Sequence, residues 1–115
     1  MSLSPARSID TERGRFTWRE GGDPAGTPVV MIHGWPESSW CWAPVSDHLK
    51  PGLRVIAPDL RGLGDSERTE GAEHYRKQNL AQDVIAVMDA LGIEHFQLVG
   101  HDWGGVVAQE MALAE

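Results

Sequence analysis

Val29-Val30-Met31-Ile32 has no polar member, the pattern of a strand covered on both faces of a parallel sheet. His33-Gly34-Trp35-Pro36 follows at once, and its glycine and proline stop the strand. Leu53 to Ala57 predicts a second buried strand and Phe96 to Val99 a third. Ahead of them, Ser8 to Thr11 and Arg15 to Glu20 flank Glu12-Arg13-Gly14 and predict an antiparallel hairpin, with Gly21 to Pro28 a breaker-rich loop. Helical spacing fills the gaps between the later strands. Ser38 or Ser39 is placed to cap a helix through about Lys50, with Trp42, Val45 and Leu49 on one side and Pro44 either in its first turn or splitting it. Tyr75 to Leu91 carries the clearest stripe, Leu80, Val84, Val87, Met88 and Leu91, with Gly92 where a helix C-terminus calls for one. From Trp103 to Glu115, Val106, Val107, Met111 and Leu113 among small residues predict a closely packed last helix. The class is α/β: a mostly parallel sheet with an N-terminal antiparallel hairpin.

In such a sheet, ligands bind outside the carboxyl ends of the strands. The loops His33 to Ser38 and Asp59 to Ser66 reach that edge, as does the turn after Phe96 to Val99. That turn reads Gly100-His101-Asp102-Trp103-Gly104-Gly105, the form of a nucleophile elbow with Asp where Ser is commoner. So tight a turn strains the backbone of its central residue. Glycine is needed on either side because a Cβ there would collide with the neighbouring strand or helix. The helix that follows offers free N–H groups and a positive dipole end to an anion. Asp102 therefore reads as a carboxylate nucleophile.

Charge and composition narrow the partners. A formal net charge of −7 argues against a nucleic-acid or anionic-membrane surface. Cys41 is the lone cysteine, so no intrachain disulfide forms; a buried, inert thiol and a reducing, cytoplasmic setting are expected. Neither a signal-peptide core nor a membrane-spanning stretch is visible. His33, His48, His74, His95 and His101 lack metal-ligand spacing, and no metal or cofactor is expected. His33 and His101, although they flank the candidate site, read as structural hydrogen-bonding groups. Trp40 and Trp42 read equally as core packing or as pocket lining.

His33-Gly34-Trp35-Pro36-Glu37-Ser38, Asp59-Leu60-Arg61-Gly62-Leu63-Gly64-Asp65-Ser66 and the elbow together resemble the α/β-hydrolase superfamily. The similarity runs from about Arg15 onward and is greatest to the epoxide hydrolase branch, with the haloalkane dehalogenases as near relatives. The resemblance implies that the backbone N–H groups of Trp35 and Trp103 form an oxyanion hole and that both indoles line the substrate site. The Asp59 to Ser66 motif is common to most of the superfamily and identifies no reaction. Its expected role is structural, with Asp59 or Arg61 supplying hydrogen bonds.

An Asp nucleophile limits the chemistry. Attack on a carbonyl would give a reactive anhydride, whereas attack on a saturated carbon bearing a leaving group gives a stable alkyl ester that water then cleaves. An epoxide or an alkyl halide fits this requirement. The resemblance implies paired lid tyrosines as proton donors for an epoxide, and indole plus Asn donors for a halide. Trp rather than Asn at position 35 favours the epoxide. The resemblance also puts the orienting acid and the histidine after the elbow helix, as well as the lid. The expectation is thus that residues 1–115 are the N-terminal portion of one hydrolase domain of about 250 residues or more. They would be inactive alone and would need the remainder of the domain, in the same polypeptide or as a separate chain. A haloalkane dehalogenase and a non-catalytic fragment or binding scaffold are the alternatives.

Overall fold

The computed structural model describes residues 2–114. It contains a five-stranded sheet in the order β1-β2-β4-β3-β5. β1 (Arg7–Thr11) and β2 (Gly14–Gly22) form the expected hairpin, with Ile9 opposite Phe16. β2 continues two residues past Glu20 and pairs antiparallel with β4 (Leu53–Pro58), which joins the hairpin to the rest of the sheet. β3 (Thr27–Ile32) pairs parallel with β4 on one side and with β5 (Gln97–Gly100) on the other. The chain therefore runs outward from β3 to β4 and then crosses back over β3 to β5. The carboxyl ends of β3 and β5 lie side by side at this reversal, with Ile32 opposite Gly100.

Alternation along β3 and β4 accounts for the apolar runs in the sequence. Val30, Ile32 and Ile56 face a core that includes Leu80, Val84, Met88, Val107 and Met111 from α2 (Lys77–Ala90) and α3 (Trp103–Ala114). Val29, Met31, Val55 and Ala57 face the opposite way, onto Trp42. Ile32 and Ile56 have no exposed surface, and burial of each such side chain contributes about 1.5–3 kcal/mol. Gly92 closes α2 with φ 74°, the left-handed conformation expected after a helix.

Three elements depart from the sequence expectation. The segment after Ser38 is a 3-10 turn, Ser39–Trp42, followed by a single turn of α-helix, α1 (Ala43–Ser46), and does not run to Lys50. Ser38 does cap it, accepting the Trp40 N–H at 3.3 Å. Pro44 lies in the first turn of α1, where its missing N–H does no harm, and the segment breaks just before it. Val45, expected on the inner side, is exposed. Second, α2 starts at Lys77, because Ala72–Tyr75 is a separate 3-10 turn. Tyr75 instead donates its hydroxyl to the Thr69 carbonyl at 2.7 Å.

Third, β5 is not buried. It is the last strand of the sheet, and only Leu98 is partly covered. The same open flank leaves Val106 and Leu113 of α3 exposed, whereas Gly104, Val107 and Met111 on its inner side are buried. The expected continuation of α3 to Glu115 falls outside the described residues.

Candidate active site

The elbow forms as its glycines require. Asp102 has φ 59°, the one positive φ among the described non-glycine residues. A Cβ on Gly100 would strike the Gly104 carbonyl in the first turn of α3, and one on Gly104 would strike the Ile32 carbonyl at the end of β3. Strand, turn and helix can approach this closely only without those side chains. The His101 N–H donates to the Ile32 carbonyl at 3.1 Å and the Gly105 N–H to the Asp102 carbonyl at 3.0 Å, which fixes the turn on both sides. Gly34, in the loop after β3, is a third such position, since a Cβ there would meet the Asp102 side chain.

With Gly34 out of the way, the next residue reaches the carboxylate. The Trp35 N–H donates to Asp102 Oδ2 at 3.0 Å. The Trp103 N–H is a second backbone donor to the same carboxylate, and the two hydrogen bonds, Trp103 first, hold its pKa below the ordinary 3.8. The nearby charges of His101 and Lys77 act in the same direction. Both N–H groups singled out in the sequence thus converge on Asp102. The Gly34 N–H donates to Glu37 Oε1 at 3.2 Å, which closes the loop on itself, and the Trp35–Pro36 peptide is cis.

The two indoles meet as well. Trp35 and Trp103 stack with ring centroids 5.3 Å apart and planes 24° from parallel. Trp35 is 55% exposed, so an aromatic surface opens beside the carboxylate. Lys77 Nζ lies 3.9 Å from the Trp103 ring centroid. Trp40 and Trp42 part company: Trp40 is exposed under the Arg19 guanidinium at 4.7 Å, while Trp42 is core.

His33 is fully buried. Its Nε2 accepts the Leu60 N–H at 3.0 Å, so Nδ1 carries the proton and donates to the Gly34 carbonyl at 2.8 Å. Burial lowers its pKa against the opposing effects of the Gly34 bond, Asp59 and Glu37, and leaves a neutral ring tying the first loop to the second. The His101 ring is exposed, with Nδ1 3.7 Å from Glu37 Oε1, and its structural hydrogen bond is the backbone one to Ile32.

The Asp59 to Ser66 loop turns its polar groups inward. Asp59 accepts from Thr17 Oγ1 at 2.5 Å and from the Ser39 N–H at 2.7 Å. Arg61 donates from Nε and Nη2 to the two oxygens of buried Asp83, each at 2.8 Å, and from Nη2 to the Arg13 carbonyl at 2.8 Å. This is the structural role expected of the motif. Cys41 is half-buried rather than fully so; burial, with Glu37 and Asp59, pushes its thiol up to about 11. Among the described residues no group of three His, Cys, Asp or Glu side chains comes together to hold a metal ion. A groove of about 540 Å³ between β5, α2 and α3 is lined by Met88, His95, Phe96 and Met111 and by no residue of the elbow.

Lys77 ends the charged run Glu67 to Lys77, which reads in the sequence as a solvated loop and helix entry, yet its ammonium lies over the Trp103 ring. Asp83 has no role in the sequence reading, whereas Glu37 belongs to the His33 to Ser38 motif and closes that loop on itself.

Residues 27–115 match the family described as alpha/beta hydrolase fold. The chain is 38% identical over 108 residues to epoxide hydrolase A of Mycobacterium tuberculosis, covering 93% of this chain and 34% of that protein. Among solved structures, an epoxide hydrolase from an endophytic Streptomyces superposes with a TM-score of 0.82 at 36% identity, over 97% of this chain and 33% of that one. A haloalkane dehalogenase loop variant from Bradyrhizobium elkanii superposes with a TM-score of 0.83 at 31% identity, over 94% and 35% respectively. The chain spans about a third of the length of these relatives. Among the described residues no helix is long and apolar enough to cross a membrane.

Proposed function

Since the chain belongs to the α/β-hydrolase fold family, we propose that it carries the nucleophile and oxyanion hole of an epoxide hydrolase. The observation that carries this reading is the Asp102 carboxylate at φ 59°, which accepts the Trp35 N–H at 3.0 Å and has the Trp103 N–H as a second backbone donor. In the first step one carboxylate oxygen attacks a ring carbon of the epoxide. The C–O bond of the ring breaks, the ring oxygen takes a proton, and a hydroxyalkyl ester of Asp102 forms. The oxygen held by the Trp35 N–H becomes the ester carbonyl oxygen. In the second step water adds to that carbonyl, and the two N–H donors take up the negative charge on this oxygen. Collapse releases the diol and restores the carboxylate.

The N–H donors lie on the carboxylate itself, where charge develops only in the second step. They favour ester hydrolysis while also keeping the nucleophile ionised for the first. By the resemblance, the proton donor for the ring oxygen and the histidine that activates water lie after α3. By the same resemblance neither His33 nor His101 stands in the position of that histidine, and His33 is buried and doubly hydrogen-bonded. The stacked indoles supply an apolar surface for a small substrate.

Haloalkane dehalogenation is the second reading, favoured by the dehalogenase likeness, while the Trp that follows the nucleophile suits both reactions. Styrene oxide and 1-bromobutane, offered side by side to the full-length protein, separate the two. Diol from the first without bromide from the second is expected; bromide release without diol overturns the epoxide reading. A non-catalytic scaffold would turn over neither and would keep its ligand binding in Asp102→Asn.

A further inference from the structure

Lys77 opens α2 and places its ammonium over the Trp103 ring, 3.9 Å from the centroid. Trp103 in turn stacks on Trp35, and the backbone N–H groups of these two residues hold the nucleophile. The cation therefore stands on the wall of the candidate site and reaches Asp102 electrostatically. Among the described residues Lys77 joins no ion pair, whereas His101, the other group whose charge reaches Asp102, faces Glu37 at 3.7 Å.

An unpaired ammonium resting on an indole is partly withdrawn from water and keeps its charge available to a ligand. That charge adds an attraction for a second anion beside a nucleophile that is itself anionic. The chain is acidic overall, at −7, and the nucleophile is itself an anion. A neutral substrate has no use for a cation here; a substrate carrying a carboxylate next to its apolar part does.

We propose that Lys77 is a specificity-determining residue that receives a substrate carboxylate, so that the site prefers an apolar or aromatic epoxide bearing an acid group. The inference rests on the epoxide reading for the reaction but not for the binding preference, which is measurable without turnover. Tryptophan fluorescence of the full-length protein, titrated with phenylacetate and with phenylacetamide at low salt, reads the preference directly.

The wild type is expected to bind phenylacetate about fivefold more tightly than the amide, a preference that shrinks as salt is added. Lys77→Gln abolishes the preference and Lys77→Arg keeps it. Equal affinities in the wild type, or a preference that survives in Lys77→Gln, overturn the proposal. So does a Lys77→Gln protein that loses both ligands equally, because Lys77 then only props Trp103. Styrene oxide supplied to the same preparation tests the other reading separately. A carboxylate preference without diol formation sinks the epoxide assignment and leaves that of Lys77 standing.

Discussion

Backbone donors, not a paired side chain, lower the Asp102 pKa. The N–H groups of Trp103 and Trp35 favour the carboxylate over the acid, and its pKa falls below 3.8. A carboxylate attacks only when ionised, so a depressed pKa keeps it competent as the pH drops and disarms it only below that value. The ester-forming step, followed by stopped-flow tryptophan fluorescence in the full-length protein, is therefore expected to keep its rate constant from about pH 7 to about pH 5. A rate that halves within that interval contradicts the assignment. Asp102 and its glycines were legible in the sequence because turn sterics leave few residue types to choose from. Lys77 was not legible. It lies outside every motif, and only the packing of α2 against the elbow gives it a role.

Among the elements, the glycine-rich loop after β4 is held by a buried ion pair whose members come from different parts of the fold. Arg61 and Asp83 are nearly inaccessible, and Arg13 adds a second bond to Asp83 at 2.8 Å. The pair ties loop, hairpin and α2 together. Asp83→Asn leaves the Arg61 guanidinium buried without a counter-charge and is expected to destabilise the full-length protein by about 3–5 kcal/mol in urea unfolding. A change below about 1 kcal/mol would show that the network is not buried in solution. The sequence pattern predicted Arg61 as a hydrogen-bonding residue but not its partner, since Asp83 lies in a helix where most acidic residues face water. The helix expected after Ser38 failed for a related reason: helical spacing through Trp42, Val45 and Leu49 does not outweigh Pro44.

Across residues 2–114 the fold has one well-covered side and one open flank. Val99 of β5 is 38% exposed and Leu113 of α3 81% exposed, and the last strand has no neighbour beyond it among the described residues. Apolarity had suggested three buried strands, but burial depends on what lies to either side. Among the described residues β3 has two neighbours and β5 has one. A polypeptide of residues 1–115 is expected to self-associate in sedimentation velocity, with Val99→Lys shifting it toward monomer. A monodisperse wild-type monomer contradicts this view of the flank. On the proposed mechanism, turnover is a property to measure on the full-length protein. A single turnover of styrene oxide by excess full-length protein in oxygen-18 water tests the ester mechanism most directly. The expected diol carries no label, because its new oxygen comes from Asp102 and the label enters the carboxylate instead. Labelled diol from that first turnover would mean that water attacks the epoxide itself and that Asp102 is not the nucleophile.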